Sequence, residues 1–209
     1  MGDSTVTSPG VEPLDASWPR RVAHHLASEY HVEFHSVAIG GSKARDVLAD
    51  QVHRAIALEP DLAMVSVGGN DALRGSSVER FQREYDQILT LLSNHVPHII
   101  VSGVGDLGSI PRLPALTQSI ARIRGRSFDR AIRRAVDRHP RVLKTDTWSP
   151  GWDEFNTNPD DVFAVDLFHA SAYGHGIYTA AVMPAIEITM QRLAAAAEAG
   201  GQRHTPITS

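Results

Sequence analysis

The stretch 62–71 reads Leu-Ala-Met-Val-Ser-Val-Gly-Gly-Asn-Asp, an apolar run that ends in a turn of glycine and polar residues. A short apolar run bounded by such a turn is typical of a strand buried on both faces. Just after it, Ser76 and Glu79 have the spacing of a helix capping box, and apolar residues recur at helical intervals from Val78 to Leu92. The segment therefore predicts a strand, a turn and a helix in succession.

The same alternation extends to both sides of this segment. Further strands are predicted at 31–39, 97–104 and 142–145, and further helices at 18–30, 43–57, 117–138 and 171–199. In the helix 117–138 we expect Ile120, Ile123, Phe128 and Ile132 to face inward. Strands that alternate with helices indicate βαβ units, so we predict an α/β fold with a parallel sheet and helices on both faces. We expect one domain over 1–199 and a disordered tail over 200–209.

Composition excludes several classes of protein. The 209 residues include 20 Lys and Arg, 24 Asp and Glu, 11 His and no Cys, for a net charge of −4. No disulfide, zinc-thiolate site or cysteine nucleophile is possible, and the charge gives no sign of nucleic-acid binding. No apolar run approaches the roughly 18–20 residues of a membrane span. No secretory signal follows Met1, so the chain as written is expected to be cytoplasmic.

Chemistry is expected where the strands end, because ligands of parallel α/β sheets bind at the carboxyl edge. The loops in question are Gly40-Gly41, 68–71, 103–108 and the segment ending at His169. The loop 103–108 matches the spacing of a dinucleotide-binding motif. That motif needs a helix at its end, and Pro111 and Pro114 prevent one there, so we expect no dinucleotide.

Each candidate residue also has an ordinary structural interpretation. Asp166 lies three residues before His169 and could orient its ring as a general base, or simply cap the next helix. Asn70 could donate to an oxyanion, or only form a turn. The glycines before Ser42 could expose N–H groups or link a strand to a helix, and Ser42 itself matches the nucleophile-elbow motif incompletely, because Ala44 replaces its glycine.

Four blocks occur in one order along the chain, and together they are more specific than any one of them. They are Gly2-Asp3-Ser4, Gly41, Gly68-Gly69-Asn70-Asp71 and Asp166-Leu167-Phe168-His169. This order resembles the SGNH (GDSL-type) serine hydrolase family of esterases and lipases. The resemblance implies a flavodoxin-like three-layer α/β/α sandwich around a parallel sheet of about five strands. It also implies hydrolysis of small-molecule esters with no metal or other cofactor.

The resemblance further implies a role for each matched residue. Ser4 would be the nucleophile, His169 its general base, and Asp166 the group that orients His169. Gly41 and Asn70, together with the backbone N–H of Ser4, would bind the oxyanion. Acyl transfer or thioester hydrolysis at the same site is an alternative, and so is a binding protein without catalytic activity.

The chain departs from the family pattern at its start, since only Met1 precedes the first block. We therefore expect the strand that normally leads into that block to be missing and Ser4 to be loosely held. We also expect the natural chain to begin upstream, where a signal for secretion could lie. Trp148, Trp152, Phe155 and Phe163 could shape an acyl pocket or pack in the core. The sequence does not predict an oligomeric state.

Overall fold

A computed structural model describes residues 1–148 and 153–201. Three strands form a parallel sheet in the order β1-β2-β3: β1 Leu62–Val65, β2 His98–Val101 and β3 Val142–Lys144. The helices are α1 Ser4–Thr7, α2 Trp18–Leu26, α3 Ala44–Asp46, α4 Val52–Ile56, α5 Gly69–Leu73, α6 Val78–His95, α7 Ala115–Val136, α8 Glu154–Thr157, α9 Pro159–Val162 and α10 Ala172–Gly201. A π-helical turn, Val47–Gln51, joins α3 to α4, and 3₁₀ turns lie at Leu14–Ala16 and Leu107–Ser109.

Alternate residues of the strands face opposite sides of the sheet, as the period of two in a strand requires. Ala63 and Val65 of β1 pack with Phe81 and Phe128, which α6 and α7 supply. The aromatic rings of this layer meet directly, with 4.8 Å between the centroids of Phe81 and Phe128. One helical layer therefore covers this face of the sheet.

The intervening strand residues pack against a second helical layer. Met64 and Ile100 lie in a cluster with Trp18 of α2 and with Val182 and Ile186 of α10. The chain is thus an α/β protein with three layers, helix on sheet on helix, as predicted. Within the described ranges, no helix is both long and apolar enough to cross a membrane.

The predicted strand 31–39 is wrong, and the described part of the sheet has three strands instead of about five. A strand needs a continuous partner, and this segment meets one only at its end, where the Ile39 N–H donates to the Gly2 carbonyl oxygen. On its other side Gly2 pairs with Ser66, just beyond β1. Met1 and Gly2 therefore pair beside the sheet as two residues and do not form a full strand.

The predicted inward face of α7 is partly wrong. Phe128 and Ile132 are fully buried, but Ile120 and Ile123 are 59% and 64% exposed. The first half of α7 packs through small residues instead, because a side chain at Gly125 would meet the carbonyl oxygen of Gly105 at 2.7 Å. The isoleucines consequently lie on the other side of the helix. Of the predicted tail 200–209, the first two residues belong to α10, and residues 202–209 lie outside the described residues.

Candidate active site

Ser4 is the first residue of α1. The expectation that it is loosely held is wrong, because the residues before it are fixed by several hydrogen bonds. The N–H of Asp3 donates to the carbonyl oxygen of Ser66 at 3.1 Å. The Asp3 side chain caps α1 by accepting from the Thr5 N–H at 2.9 Å. Asp3 is buried, and burial raises the pKa of its carboxyl group above the ordinary value, against hydrogen bonds that lower it.

Gln51 fixes the backbone just before Ser4 through two hydrogen bonds. Its Oε1 accepts from the Gly2 N–H at 2.7 Å, and its Nε2 donates to the Gly2 carbonyl oxygen at 3.0 Å. Gln51 is fully buried in the π-helical turn. Gly2 itself has φ of 144°, and a side chain there would collide with the Ser66 carbonyl oxygen. Position 2 therefore requires glycine.

Asp166 and His169 lie on one short loop whose ends are tied together. Phe163 and Ala170 form an antiparallel bridge, and the Ala164 N–H donates to the His169 carbonyl oxygen at 2.7 Å. Within the loop Leu167 has a left-handed φ of 55° and makes the turn tight enough for its two sides to meet. The loop brings the carboxylate and the imidazole together, and the Arg112 N–H, which donates to the Leu167 carbonyl oxygen at 3.0 Å, holds the loop from outside.

The carboxylate of Asp166 is bound entirely by its own loop. Its Oδ2 lies 2.6 Å from His169 Nδ1, and its Oδ1 accepts from the backbone N–H groups of Phe168 and His169 at 3.0 and 2.9 Å. Burial acts to raise the pKa of Asp166, but these hydrogen bonds and the nearby imidazole outweigh it and lower the pKa. The ionised carboxylate favours a proton on Nδ1, which leaves Nε2 of His169 free to accept one.

Asn70 follows β1 at the start of α5 and is buried. Its Nδ2 donates to Asp3 Oδ2 at 3.3 Å and to the Ser42 carbonyl oxygen at 3.2 Å. Asn70 thus connects the residue before Ser4 with the loop after residue 39. These bonds fix the direction in which its amide group points.

Several of the residues described above line one cavity of about 160 Å³. Ser4, Asn70 and His169 all line it. Among the described residues no hydrogen bond joins Ser4 to His169, as is common in free enzymes whose catalytic bonds tighten when substrate binds. The fold thus brings Ser4 and Asn70, which are 66 positions apart in the sequence, into the same cavity as His169.

Gly41 does not line this cavity. It lies in a shallow depression together with Ile39, Asp46 and Asp50, and its φ is 82°. Its link to the site runs through the next residue, Ser42, whose carbonyl oxygen accepts from Asn70. The Ser42 hydroxyl is buried and accepts from Gln51 at 3.0 Å, so it serves the packing around Gly2.

A cluster of aromatic side chains contributes to the lining of the cavity. Phe155, Phe163 and Tyr178 line it, with Phe155 stacked on Tyr178 at 5.6 Å and edge-on to Phe163 at 5.4 Å. Trp148 lies elsewhere, where its indole N–H donates to the Val104 carbonyl oxygen. Trp152 falls outside the described residues. Two of the four aromatic residues considered in the sequence thus reach the cavity.

Sequence reasoning missed Gln51 and a second histidine of the cavity, His175. Gln51 left a usable signal, since it is a polar residue between the apolar positions Val47 and Val52 of a predicted helix. A polar side chain at such a position is expected to have a buried partner. His175 ends a stretch from Asp166 that resembles the family's last block, but the local sequence gave it no role, because its partner Trp18 is 157 positions away.

The site and the fold together define the class of protein. The sequence model of the GDSL-like lipase/acylhydrolase family matches residues 1–177, and the chain belongs to that family. It is accordingly a carboxylic ester hydrolase. A comparison with curated protein sequences gave no match.

Solved structures of the same fold include an acetylxylan esterase and an alpha/beta hydrolase enzyme. TesA is 18% identical, with a TM-score of 0.72 over 90% of this chain and 96% of its own. A catalytic mutant of Axe2, an acetylxylan esterase from Geobacillus stearothermophilus, is 19% identical, with a TM-score of 0.72 over 88% and 91%. LAE5, an alpha/beta hydrolase enzyme from the metagenome of Lake Arreo in Spain, is 20% identical, with a TM-score of 0.71 over 89% and 92%. At these identities the likeness concerns the fold.

Proposed function

We propose that this chain hydrolyses esters of short acyl groups through an acyl-enzyme on Ser4. The observation that carries the proposal is the 2.6 Å contact between Asp166 and His169 at the wall of the cavity that Ser4 lines. A carboxylate that orients an imidazole beside a serine is the arrangement that activates a hydroxyl group for acyl transfer.

Each residue has a defined task in the proposed reaction. The Ser4 hydroxyl attacks the ester carbonyl carbon while Nε2 of His169 takes its proton. The tetrahedral intermediate collapses, the bond to the alcohol oxygen breaks, and His169 gives the proton to the departing alcohol. Water, deprotonated by His169, then attacks the acyl-enzyme; the bond between the acyl carbon and the Ser4 oxygen breaks, and His169 returns the proton to that oxygen, which releases the acid and the free serine.

The developing oxyanion needs hydrogen-bond donors fixed in advance. The N–H of Ser4 has no acceptor among the described residues. In the free protein Asn70 Nδ2 donates to Asp3 and to the Ser42 carbonyl oxygen, so in our proposal the oxyanion replaces one of these two acceptors. One such donor typically accelerates the reaction by about 10²–10³-fold. Gly41 does not line the cavity. Its assignment to the oxyanion site therefore rests only on its position in the family motif.

The size of the cavity supports short acyl groups. Its 160 Å³ is close to the roughly 150 Å³ of an apolar protein cavity that holds benzene. Phe155 and Phe163 contribute aromatic surface to its lining, which suits a short apolar acyl group. We expect kcat/KM to be highest for acetyl to butyryl esters and to fall for octanoyl esters of the same alcohol.

Labelling with a fluorophosphonate, followed by peptide mapping, tests the nucleophile. We expect the adduct on Ser4 in the wild type and in Ser28→Ala, which alters an exposed serine of another region, and no adduct in Ser4→Ala. An adduct on Ser42, or unchanged ester hydrolysis by Ser4→Ala, would overturn the assignment. A folded chain that neither reacts with the probe nor cleaves any ester would favour a binding protein instead.

A further inference from the structure

His175 adds a second imidazole to the cavity that the proposed mechanism does not use. It lies in the first turns of α10, is only 2% exposed, and lines the cavity with Ser4 and His169. Its ring packs edge-on against Tyr178, with 5.3 Å between the ring centroids. Tyr178 in turn stacks on Phe155. His175 therefore lies in the cavity beside Tyr178 and Phe155, where the proposed acyl group would bind.

The backbone of α2 fixes which nitrogen of His175 carries the proton. The N–H of Trp18, at the start of α2, donates to His175 Nδ1 at 3.2 Å. The first N–H groups of a helix have no acceptor within the helix, so this bond satisfies one that would otherwise lack a partner. Because Nδ1 accepts a hydrogen bond, the single proton of the neutral ring is on Nε2.

Nε2 of His175 faces the cavity as an unused donor. No described residue accepts a hydrogen bond from it. In the described part of the chain, the side-chain polar atoms that are fully enclosed and lack a partner are Tyr85 Oη and His98 Nδ1. His175 Nε2 also lacks a partner but is not fully enclosed, so it borders open space. Because His175 is buried and lines the cavity, we infer that this open space is the cavity.

The ring is also held neutral. Burial, with smaller electrostatic contributions from Arg21 and His169, lowers the pKa of His175 to about 4. Above about pH 5 the ring therefore offers one N–H donor and no charge. A buried donor without a partner is costly, so a substrate that supplies an acceptor gains over one that does not.

We propose that His175 is a specificity-determining residue, whose Nε2–H selects short acyl groups that carry an acceptor oxygen over hydrocarbon acyl groups of the same length. The inference rests on the proposed function, because it concerns the acyl group of that reaction. A mostly apolar cavity with a single placed donor is a common way to orient a small ligand.

Pairs of esters with equal chain length test the proposal. Butyrate is compared with methoxyacetate, and pentanoate with 3-methoxypropionate, all as esters of one alcohol. The quantity measured is the ratio of kcat/KM for the oxygenated ester to that for the hydrocarbon ester. Comparing this ratio between enzyme variants cancels the difference in intrinsic reactivity of the two esters.

Two variants separate the two nitrogens of the ring. In His175→Asn the side-chain oxygen can still accept from the Trp18 N–H, but the donor at the Nε2 position is lost. In His175→Gln the amide group restores a donor near Nε2. We expect the ratio to fall about fivefold in His175→Asn for at least one pair and to recover in part in His175→Gln, while the exposed control His24→Asn leaves it unchanged.

The outcomes distinguish this proposal from the one on which it rests. Turnover of both esters with the same ratio in the wild type and His175→Asn would overturn the role of His175 alone. A wild type that cleaves no ester would overturn the proposed function and this inference with it. If both His175 variants fail to fold, long-range ¹H–¹⁵N NMR of the wild type decides: a proton on Nε2 is expected, and one on Nδ1 would refute the proposal.

Discussion

Asn70 donates a hydrogen bond to the carboxylate of Asp3 at 3.3 Å, across 67 positions of sequence. The residue that precedes Ser4 is thereby bound to the side chain assigned to the oxyanion. Because Asp3 also caps α1, one carboxylate positions both the start of the helix that carries Ser4, the proposed nucleophile, and the amide group of Asn70.

Replacement of Asn70 by Ala should lower kcat about 10²–10³-fold with little change in KM, since the oxyanion forms only in the transition state. Steady-state kinetics with an acetyl ester measures both constants. Asn94→Ala, on the exposed side of α6, is the matched control and should behave as the wild type. A rise in KM at constant kcat would instead make Asn70 a residue that binds substrate in its ground state.

Asp166→Asn should reduce kcat by roughly 10³–10⁴-fold, because an amide in place of the carboxylate no longer favours the His169 tautomer with Nε2 free. The rate of fluorophosphonate labelling should fall as well. Asp160→Asn changes an exposed acidic residue of α9 and should leave both rates as they are. Full activity of Asp166→Asn would show that His169 is oriented by other means.

Gly2→Ala should destabilise the fold by at least about 2 kcal/mol, because the residue has a left-handed φ of 144° and faces the Ser66 carbonyl oxygen. Urea unfolding followed by circular dichroism measures the loss. At Gly69 an added Cβ would meet no atom within 4 Å, so Gly69→Ala is the control for stability. Equal stability of the two variants would contradict the close approach of Gly2 to Ser66.

The stability of the protein should decrease as the pH falls from about 6.5 to about 4. His175 in the unfolded chain takes up a proton near pH 6.5, whereas in the folded chain its pKa is lowered to about 4, mainly by burial. Over this interval the unfolded state binds more protons, so acid favours unfolding, by roughly 3 kcal/mol at the lower end. Unfolding in urea at several pH values measures this, and the slope should be smaller in His175→Asn. An equal slope in both would argue against the neutral, buried ring.

The sequence predicts the layers of the fold well because burial leaves a periodic record. The apolar runs at β1 and β2 and the helical intervals of α6 give the alternation of strand and helix directly. The segment 31–39 has the composition of a strand, but pairing depends on a partner that composition does not reveal. Ile120 and Ile123 fit a helical stripe, yet the close packing of Gly125 against Gly105 turns that stripe outward.

The site was predictable only as far as motifs and strand ends allow. Ser4, Asn70 and His169 were expected at one edge of the sheet and do line one cavity, whereas Gly41, expected with them, does not. The bonds that hold the site, from Asn70 to Asp3 and from Trp18 to His175, join distant parts of the chain. Such contacts follow from the packed structure and leave no pattern in the local sequence.

The loop that carries Asp166 and His169 has a consequence for how activity arises during folding. Its central contact joins residues three positions apart, so His169, the proposed base, and Asp166 can come together early and locally. Ser4, by contrast, is placed through Gly2, which is held by Gln51 across 49 positions and by pairing with Ser66. Recovered hydrolysis in a refolding experiment would thus report the slower docking of the amino-terminal segment onto the sheet, after the base is already formed.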